Sequence, residues 1–269
     1  MRWQRWGGSV LVGAMTFYYR QLGPERDLAP LIDAYWVNES GLPETPQGAT
    51  SCDRVLPDGC IDLVFVNHGS GTQRSRLFTS ALIERPTMLD PTSASWFVGV
   101  RLRPAMSQVV LPVSPIECRD RDIDAREIDG HFSVIEEQLL ACRTPSEALA
   151  ALRGHVDRRA RANTHRAPPT RVRFALKLLA NGPPWMSPGE VARALGISPR
   201  SLHRDLLSWS GHAPKVLARI LRMQHALERL RAGRSRLAEV AQDSGFADQP
   251  HMTRELWRLT GLRPSELSR

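Results

Sequence analysis

The C-terminal stretch contains two related segments, VARALGISPRSLHRDLLSWSGHAP at residues 191–214 and VAQDSGFADQPHMTRELWRLTGLRP at residues 240–264. Each begins with Val-Ala, continues with a glycine and an apolar residue, and closes on Gly-x-x-Pro. The offset between them is 49 residues up to Ser201 and 50 from Leu202 onward, which places a one-residue insertion at the start of the second segment's last helix. The repetition indicates that one structural unit occurs twice.

Each segment predicts two short helices joined by a tight turn. The pattern Val-Ala-x-x-x-Gly is typical of a helix that ends at a glycine, because glycine adopts the left-handed conformation that a sharp turn needs. A capping residue then begins the second helix: Ser198, followed by Pro199, in one unit and Asp248 in the other. Such a pair forms a helix-turn-helix, whose second helix can enter the DNA major groove. One copy alone is equally compatible with an ordinary helical hairpin, whereas two matched copies with a basic second helix favour DNA binding.

The second segment carries the more specific motif, which consists of Ala241, Gly245-Phe246, Arg254, Gly261 and Pro264-Ser265-Glu266. Through it, residues 171–269 resemble the tandem helix-turn-helix domain of the AraC/XylS family of bacterial transcription regulators. The resemblance implies a cytoplasmic activator or repressor that binds double-stranded DNA and needs no cofactor. The chain departs from the family pattern at Leu206, Leu256 and Met252, where the family usually or often has an aromatic residue. These are exchanges between apolar residues at core positions, so they bear on helix packing angles and leave the fold unaffected.

Charge is distributed unevenly along the chain. Residues 169–269 hold 17 Lys or Arg and 8 Asp or Glu, whereas residues 1–168 hold 19 and 20. The formal net charge of +8 therefore comes from the C-terminal part. A basic part beside a near-neutral one indicates a polyanionic partner for the first and a different task for the second.

The 269 residues leave room for two domains. We predict an α+β protein in which a small β-barrel or sandwich with flanking helices (residues 15–160) precedes an all-α tandem helix-turn-helix domain. A linker over residues 161–170 joins the two, and the helix-turn-helix units span residues 187–211 and 237–261. Residues 1–14 superficially resemble a signal peptide, but we expect a disordered or loosely docked extension, with Met15 as an alternative start. The apolar runs fall short of the ~20 residues of a membrane span, so no membrane partner is expected.

Local patterns predict the elements of each part. Short strands are expected at residues 54–56, 60–66, 77–83, 87–89 and 96–103, with Val98, Val100 and Leu102 inward and Arg101 and Arg103 on the other face. Apolar residues at helical spacing predict helices over residues 24–36, 133–142, 146–160 and 171–179. The second and third of these would pack on the barrel or form a dimer interface. A nineteen-residue helix over residues 214–232 would extend ~28 Å and hold the two reading helices about one DNA turn apart.

The N-terminal part has a resemblance of its own. The run RVLPDGCIDLVF at residues 54–65, followed by VGVRLRP at residues 98–104, is similar to the N-terminal domain of a subset of AraC-type regulators. That domain is largely uncharacterised in function. The resemblance supports a regulator with both parts in one chain and specifies no ligand.

The face of each second helix that points away from its apolar positions supplies the candidate DNA contacts. Arginine suits guanine and glutamine suits adenine, and by resemblance Arg200, His203 and Arg204 match base-reading or backbone-contacting positions. A surface salt bridge to the neighbouring Asp205 or Glu255 is the alternative role for Arg204 and Arg254. The full set of DNA-contact candidates is Arg200, Ser201, His203, Arg204, Gln249, Pro250, His251, Thr253 and Arg254. The generic phosphate candidates are Arg193, Arg219, Arg222 and Arg236.

Other classes of function have less support. The histidines of the N-terminal part form no His-x-His set, and the cysteines (Cys52, Cys60, Cys118 and Cys142) form no Cys-x-x-Cys, so neither a metal site nor an enzyme is predicted. A small-molecule effector, RNA polymerase and a second copy of the chain are candidate partners, and monomer and homodimer are both open. The alternative is a regulator without a small ligand, controlled by protein contact or thiol oxidation. The candidate ligand-binding residues are Trp36, Trp96, Arg101 and Arg103.

Overall fold

The N-terminal part of the computed structural model is built on antiparallel strands; the described residues of the chain are 17–40, 53–69, 74–89, 94–180, 185–233 and 236–267. The strands are β1 Phe17–Leu22, β2 Ile32–Ser40, β3 Asp53–Val55, β4 Ile61–Asn67, β5 Arg76–Thr79, β6 Thr87–Leu89, β7 Trp96–Leu102 and β8 Ile123–Asp124. Six of them form one sheet in the order β1-β2-β7-β4-β5-β8, and β3 pairs with β6 in a separate two-stranded ribbon. The predicted extension over residues 1–14 lies outside the described residues.

The helix predicted over residues 24–36 is wrong. Residues 26–31 form turns, and β2 begins at Ile32 and pairs with β1 on one side and β7 on the other. Both faces of β2 are covered: Tyr35 and Val37 are buried in the main core, while Trp36 and Asn38 line the opposite face of the sheet. A strand that is apolar on both faces loses the alternation that identifies a strand, and its apolar residues then match helical spacing by coincidence.

Helices cover one face of the large sheet. The N-terminal helices are α1 Ala125–Ile128, α2 Phe132–Ala141 and α3 Pro145–Ala162. Phe132 of α2 and Leu152 and Val156 of α3 are buried in the same core cluster as Tyr35 and Phe65 of the sheet. The two helices therefore pack on the sheet, as one of the two sequence interpretations expects. The β3–β6 ribbon lies over the other face.

The C-terminal part is entirely helical within the described residues. Its helices are α4 Thr170–Ala180, α5 Pro188–Ala194, α6 Pro199–Ser210, α7 Pro214–Ala232, α8 Leu237–Asp243, α9 Gln249–Thr260 and α10 Pro264–Leu267. The α+β class is thus confirmed. The predicted linker overlaps the end of α3 and a 3₁₀ turn at Thr164–Arg166, and the domain boundaries stay predictions. Among the described helices, none combines the length and the apolar character needed to cross a membrane.

Residues 54–60, here called the docking segment, connect the sheet to the C-terminal helices. Leu56 is 1% exposed and lies in the apolar cluster that Met223 and Leu227 of α7 form with α8 and α9. Gln224 Nε2 donates to the carbonyl oxygen of Pro57 at 2.6 Å, and Arg54 Nη1 donates to that of Thr260 at 2.8 Å. The sheet therefore contacts the scaffold of the second helix-turn-helix unit directly.

Stability should fall in mild acid because of His155 on α3. Its ring packs against Phe132, and burial, followed by the nearby Arg159 charge, lowers its pKa to about 4. An unfolded histidine has a pKa near 6.5, so between about pH 6.5 and pH 4 the unfolded chain binds the extra proton and the folded state loses stability. Urea unfolding followed by circular dichroism at about pH 7 and about pH 5 measures the loss.

The matched comparison is His155→Phe against the same substitution at the exposed His165. His155→Phe should reduce the dependence of the unfolding free energy on pH, to which the lowered pKa values of the buried His212 and the half-buried His225 also contribute, and His165→Phe should leave it as in the wild type. Equal slopes for the wild type and His155→Phe would contradict the assignment.

Candidate nucleic-acid interface

The two helices predicted to read DNA, α6 and α9, begin at matched caps. Ser198 Oγ accepts a hydrogen bond from the Ser201 amide at 3.1 Å, and Asp248 Oδ1 accepts one from the His251 amide at 2.6 Å. A side-chain oxygen at this position satisfies one of the unpaired amides of a helix N-terminus. Both predicted caps are confirmed, and Pro199 stands at the first helical position as expected.

The one-residue insertion lies in the turn rather than at the start of the last helix. Helices α6 and α9 both contain twelve residues, and both end at a left-handed glycine, Gly211 or Gly261. Helix α5 ends at Ala194 and α8 at Asp243, so the turn before the second cap is the longer one. The two reading helices are therefore equal in length, and the extra residue changes only the approach to α9.

A buried carboxylate holds each reading helix to the helix that precedes its unit. Asp205 of α6 is 7% exposed and accepts from Arg171 Nε of α4 at 2.6 Å. Glu255 of α9 is also buried and accepts from Arg219 Nε of α7 at 2.7 Å. Burial opposes the charged form of Glu255, but hydrogen bonds from Arg219 and Arg258 outweigh it and lower its pKa. The repeat thus extends to a third helix, and matched ion pairs fix the orientation of α6 and α9.

These pairs leave open to a ligand the two arginines that are predicted to contact DNA, Arg204 and Arg254. The Arg204 side chain is 73% exposed, and its Nε lies 3.8 Å from an Asp205 oxygen whose carboxylate Arg171 already engages. Arg254 is exposed as well. The salt-bridge alternative for these two arginines therefore has little support in the geometry.

The other DNA-contact candidates divide into two groups. Those exposed beside the two arginines are Arg200, His203, Gln249 and Pro250. The half-buried ones have local partners: Ser201 Oγ lies 2.9 Å from Ser198 Oγ, Thr253 Oγ1 donates to the Gln249 carbonyl oxygen, and the His251 ring packs edge-on against Phe246. All nine residues stay predictions as DNA contacts. The exposed candidates are more accessible to DNA than the half-buried ones, whose side chains have local partners.

The phosphate candidates also differ in their surroundings. Arg219 is engaged by Glu255, and Arg222 lies half-buried with its guanidinium 5.9 Å from the Phe246 ring centre. Arg193 and Arg236 are exposed. Phosphate contact stays a prediction for all four, with Arg193 and Arg236 placed most openly.

Trp185, which the sequence patterns do not single out, connects the first helix-turn-helix unit to the second. It stands before α5, yet its Nε1 donates to the carbonyl oxygen of Asp243 at the end of α8, at 2.9 Å. Its ring packs edge-on against His225 of α7 at 5.2 Å. The turn glycine Gly245 lies so close that an added Cβ would come within 2.4 Å of the indole. The relative placement of the units therefore depends on Trp185 as well as on α7.

The candidate ligand-binding residues fall in three places. Trp36 and Arg101 line one cavity between the large sheet and the ribbon. Trp96 packs against Phe65 in the core on the opposite face. Arg103 lines a separate cavity between the sheet and α4, where it pairs with Asp33 at 3.0 Å. Their ligand role stays a prediction.

The described cysteines are poor candidates for thiol sensing. Cys60 and Cys118 are buried and Cys142 is half-buried, while Cys52 lies outside the described residues. Burial raises the pKa of all three described thiols, for Cys60 well above its usual value. The thiolate is the reactive form, so oxidation is disfavoured at these positions.

Comparison with known proteins agrees with this geometry. Residues 191–269 match the family described as "Helix-turn-helix domain". The C-terminal part of the chain is an AraC-type helix-turn-helix domain. In front of this AraC-type domain, residues 20–124 match a domain of unknown function. No curated protein matches the chain.

Several solved structures are similar to this chain at low sequence identity. The C-terminal domain of AraT, a response regulator from Geobacillus stearothermophilus, is 22% identical, with 37% of this chain and 84% of that chain covered and a TM-score of 0.36. An AraC-type transcriptional regulator from Chromobacterium violaceum is also 22% identical, with 36% and 88% covered and a TM-score of 0.34. ToxT from Vibrio cholerae is 10% identical, with 94% and 97% covered and a TM-score of 0.43.

Proposed function

We propose that this chain is a sequence-specific transcription regulator whose AraC-type domain places α6 and α9 in successive major grooves of DNA. One observation carries the proposal: two equal helices present exposed arginines, Arg204 and Arg254, while buried ion pairs fix both helices to α4 and α7. Helix α7, with nineteen residues, is ~28 Å long, close to one turn of DNA. This length supports contact with two grooves on one face of the duplex.

Selection from a random duplex library tests the proposal. The full chain should enrich two short sequence blocks whose centres lie about ten base pairs apart, because the two helices are held at about one DNA turn. Enrichment of a single block would overturn the two-groove arrangement. Absence of any enrichment would overturn sequence-specific binding itself.

Arg200→Ala should weaken binding to the selected site by about 1–3 kcal/mol and relax preference at one base position, since arginine recognises guanine through two hydrogen bonds. Arg193→Ala is the control: a lost phosphate contact weakens binding to all sequences alike and reduces the salt dependence by about one charge. Fluorescence anisotropy with the selected duplex and single-base variants measures both. An unchanged base preference for Arg200→Ala would count against base reading at this position.

We further propose that the N-terminal sheet regulates the AraC-type domain, either by binding an effector or by dimerising. Support comes from the docking segment, which joins the sheet to α7 and to the end of α9. A second contact joins Ala105 and Met106 to the apolar cluster formed by α4, α5, α6 and α7. Contact with RNA polymerase stays a prediction.

A further inference from the structure

A cavity of about 190 Å³ lies between the large sheet and the β3–β6 ribbon. Its walls are mainly apolar, with Trp36, Phe78 and Phe97 contributed by the sheet and Leu56 by the docking segment. Gly99 on β7 lets the Trp36 indole lie directly against the sheet, since an added Cβ would come within 2.3 Å of the ring. An engineered apolar cavity of about 150 Å³ admits benzene, so this one has room for a single ring with small substituents.

The cavity is lined by a buried arginine that is only partly satisfied. Arg101 is 3% exposed; its Nε lies 3.3 Å from Asp58 Oδ2, and its Nη2 donates to Asp62 Oδ2 at 3.2 Å. Its third nitrogen, Nη1, is buried and has no acceptor within hydrogen-bond distance among the described residues, although the Tyr19 hydroxyl in the same lining interacts with the Arg101 guanidinium. A buried donor without a partner is costly, so this atom is a site for an acceptor brought by a ligand.

The cavity also contains an unsatisfied acceptor. Asn38 on β2 is 5% exposed, and its Oδ1 has no hydrogen-bond partner in the part of the chain that is described. Asn38 pairs in register with Phe97, four residues along β7 from Arg101, so the two residues lie at separate positions along the cavity. A molecule between them would offer an acceptor to one and a donor to the other.

The charges around the cavity disfavour an anionic ligand. Three carboxylates line it, from Asp58, Asp62 and Asp122, against the single guanidinium of Arg101, so an anion would be repelled. Each carboxylate already has donors: Asp62 accepts from Arg101 and Trp36, Asp58 from the Cys60 amide, and Asp122 from the Ala81 amide. The open donor is itself part of a cation, so a ligand group that meets Arg101 Nη1 has to be an acceptor and cannot be a second cation.

We propose that this cavity binds a small uncharged one-ring molecule with a hydrogen-bond acceptor for Arg101 Nη1 and a donor for Asn38 Oδ1. The occupant would touch Val55, Leu56 and Asp58, which line the cavity from the docking segment. Because Leu56 also packs against α7, occupancy changes how the sheet is docked on the second helix-turn-helix unit. This last step rests on the proposed DNA-binding function, whereas binding itself does not.

Isothermal titration calorimetry on the full chain near neutral pH tests binding without DNA. The main probe is 4-hydroxyacetophenone, which has a carbonyl acceptor and a hydroxyl donor at opposite ends of one ring. Three matched compounds each change one property: 4-ethylphenol lacks the acceptor, 4-methylacetophenone lacks the donor, and 4-hydroxybenzoate adds a negative charge. We expect 4-hydroxyacetophenone to bind about tenfold or more tightly than either neutral relative, since each relative leaves one buried group unsatisfied, and 4-hydroxybenzoate not to bind. Equal or tighter binding of 4-hydroxybenzoate, or no binding by any of the four compounds, overturns the proposal.

Asn38→Leu is the informative variant, because replacing Arg101 would leave two buried carboxylates without their cation. Removing an unsatisfied oxygen should not lower the thermal unfolding temperature, so the variant should fold. It should bind 4-hydroxyacetophenone no better than 4-methylacetophenone. Retention of the full difference between these two compounds in Asn38→Leu contradicts the role of Asn38.

A separate measurement tests whether ligand binding in the cavity changes DNA binding. Anisotropy titration with the selected duplex, with and without saturating 4-hydroxyacetophenone, should show a several-fold change in DNA affinity that Asn38→Leu reduces. Ligand binding by calorimetry with unchanged DNA affinity would overturn the coupling alone. Failure of the library selection would overturn the proposed function and leave the calorimetric result standing.

Discussion

Leu56→Ala should destabilise the chain by about 2–5 kcal/mol, the range measured when a fully buried leucine is truncated. Leu56 is 1% exposed and, among the described residues, is the one that the N-terminal part contributes to the buried apolar cluster of α7, α8 and α9. Removal of the leucine side chain leaves a cavity where the N-terminal part contacts the second helix-turn-helix unit, and the packed helices can fill this cavity only in part. The variant should also bind the selected duplex with altered affinity, because α7 loses a contact that fixes its position.

Urea unfolding at equilibrium measures the change, with Leu140→Ala as the matched control on the exposed side of α2. The control should lie within about 0.5 kcal/mol of the wild type. A loss at Leu56 no greater than at Leu140 would show that the sheet and the helices do not dock in solution as they do here.

Gly245→Ala should destabilise more than the equivalent Gly196→Ala in the first unit. Both glycines have positive φ, +74° for Gly245 and +65° for Gly196, so each substitution carries a left-handed penalty of about 1–2 kcal/mol. Only Gly245 meets a neighbour: an added Cβ would lie 2.4 Å from the Trp185 ring, whereas nothing lies within 4 Å at Gly196. Forcing extra volume into a packed site costs about 1–3 kcal/mol more.

A double-mutant cycle attributes the difference to its source. With Trp185→Ala in the background, Gly245→Ala should cost about as much as Gly196→Ala, because the indole is no longer in the way. Denaturant unfolding of the wild type, the two single variants and the double variant gives the coupling energy. An unchanged cost of Gly245→Ala in that background would remove Trp185 from the explanation.

The C-terminal helices were predictable because their signals are local. Capping residues, turn glycines and apolar spacing lie within a few positions of the boundaries they set, and the long helix was predicted over residues 214–232, where α7 lies. The repeat also contains a signal for the ion pairs. Asp205 and Glu255 recur at matched positions, and a recurring acid on an otherwise basic helix indicates a structural ion pair.

The sheet was predicted less well because its determinants are distant in sequence. Strand β2 depends on β7, more than fifty residues away, and local spacing therefore indicated a helix over residues 24–36. The docking of Arg54 on Thr260 spans 206 residues. In the sequence Leu56 is one apolar residue in a short predicted strand. No local pattern shows whether its side chain packs inside the N-terminal part or against the C-terminal helices.

The site was predicted in outline. The sequence identified the arginines of α6 and α9, and the structure shows which of them are left open by the ion pairs to Arg171 and Arg219. It also named Trp36 and Arg101, which share a cavity, together with Trp96 and Arg103, which do not lie there. Side-chain direction on a strand decides such groupings, and it follows from register, which requires knowledge of the pairing strands.

The place of Leu56 has a practical consequence for fragments of this chain. A truncated protein that lacks the N-terminal sheet would expose the apolar surface around Met223 and Leu227 that Leu56 covers in the intact chain. An exposed apolar patch favours self-association. The isolated AraC-type domain should therefore be less soluble than its basic composition suggests. Co-expression with the N-terminal part, or a polar substitution at Met223 or Leu227, should restore the solubility of the fragment.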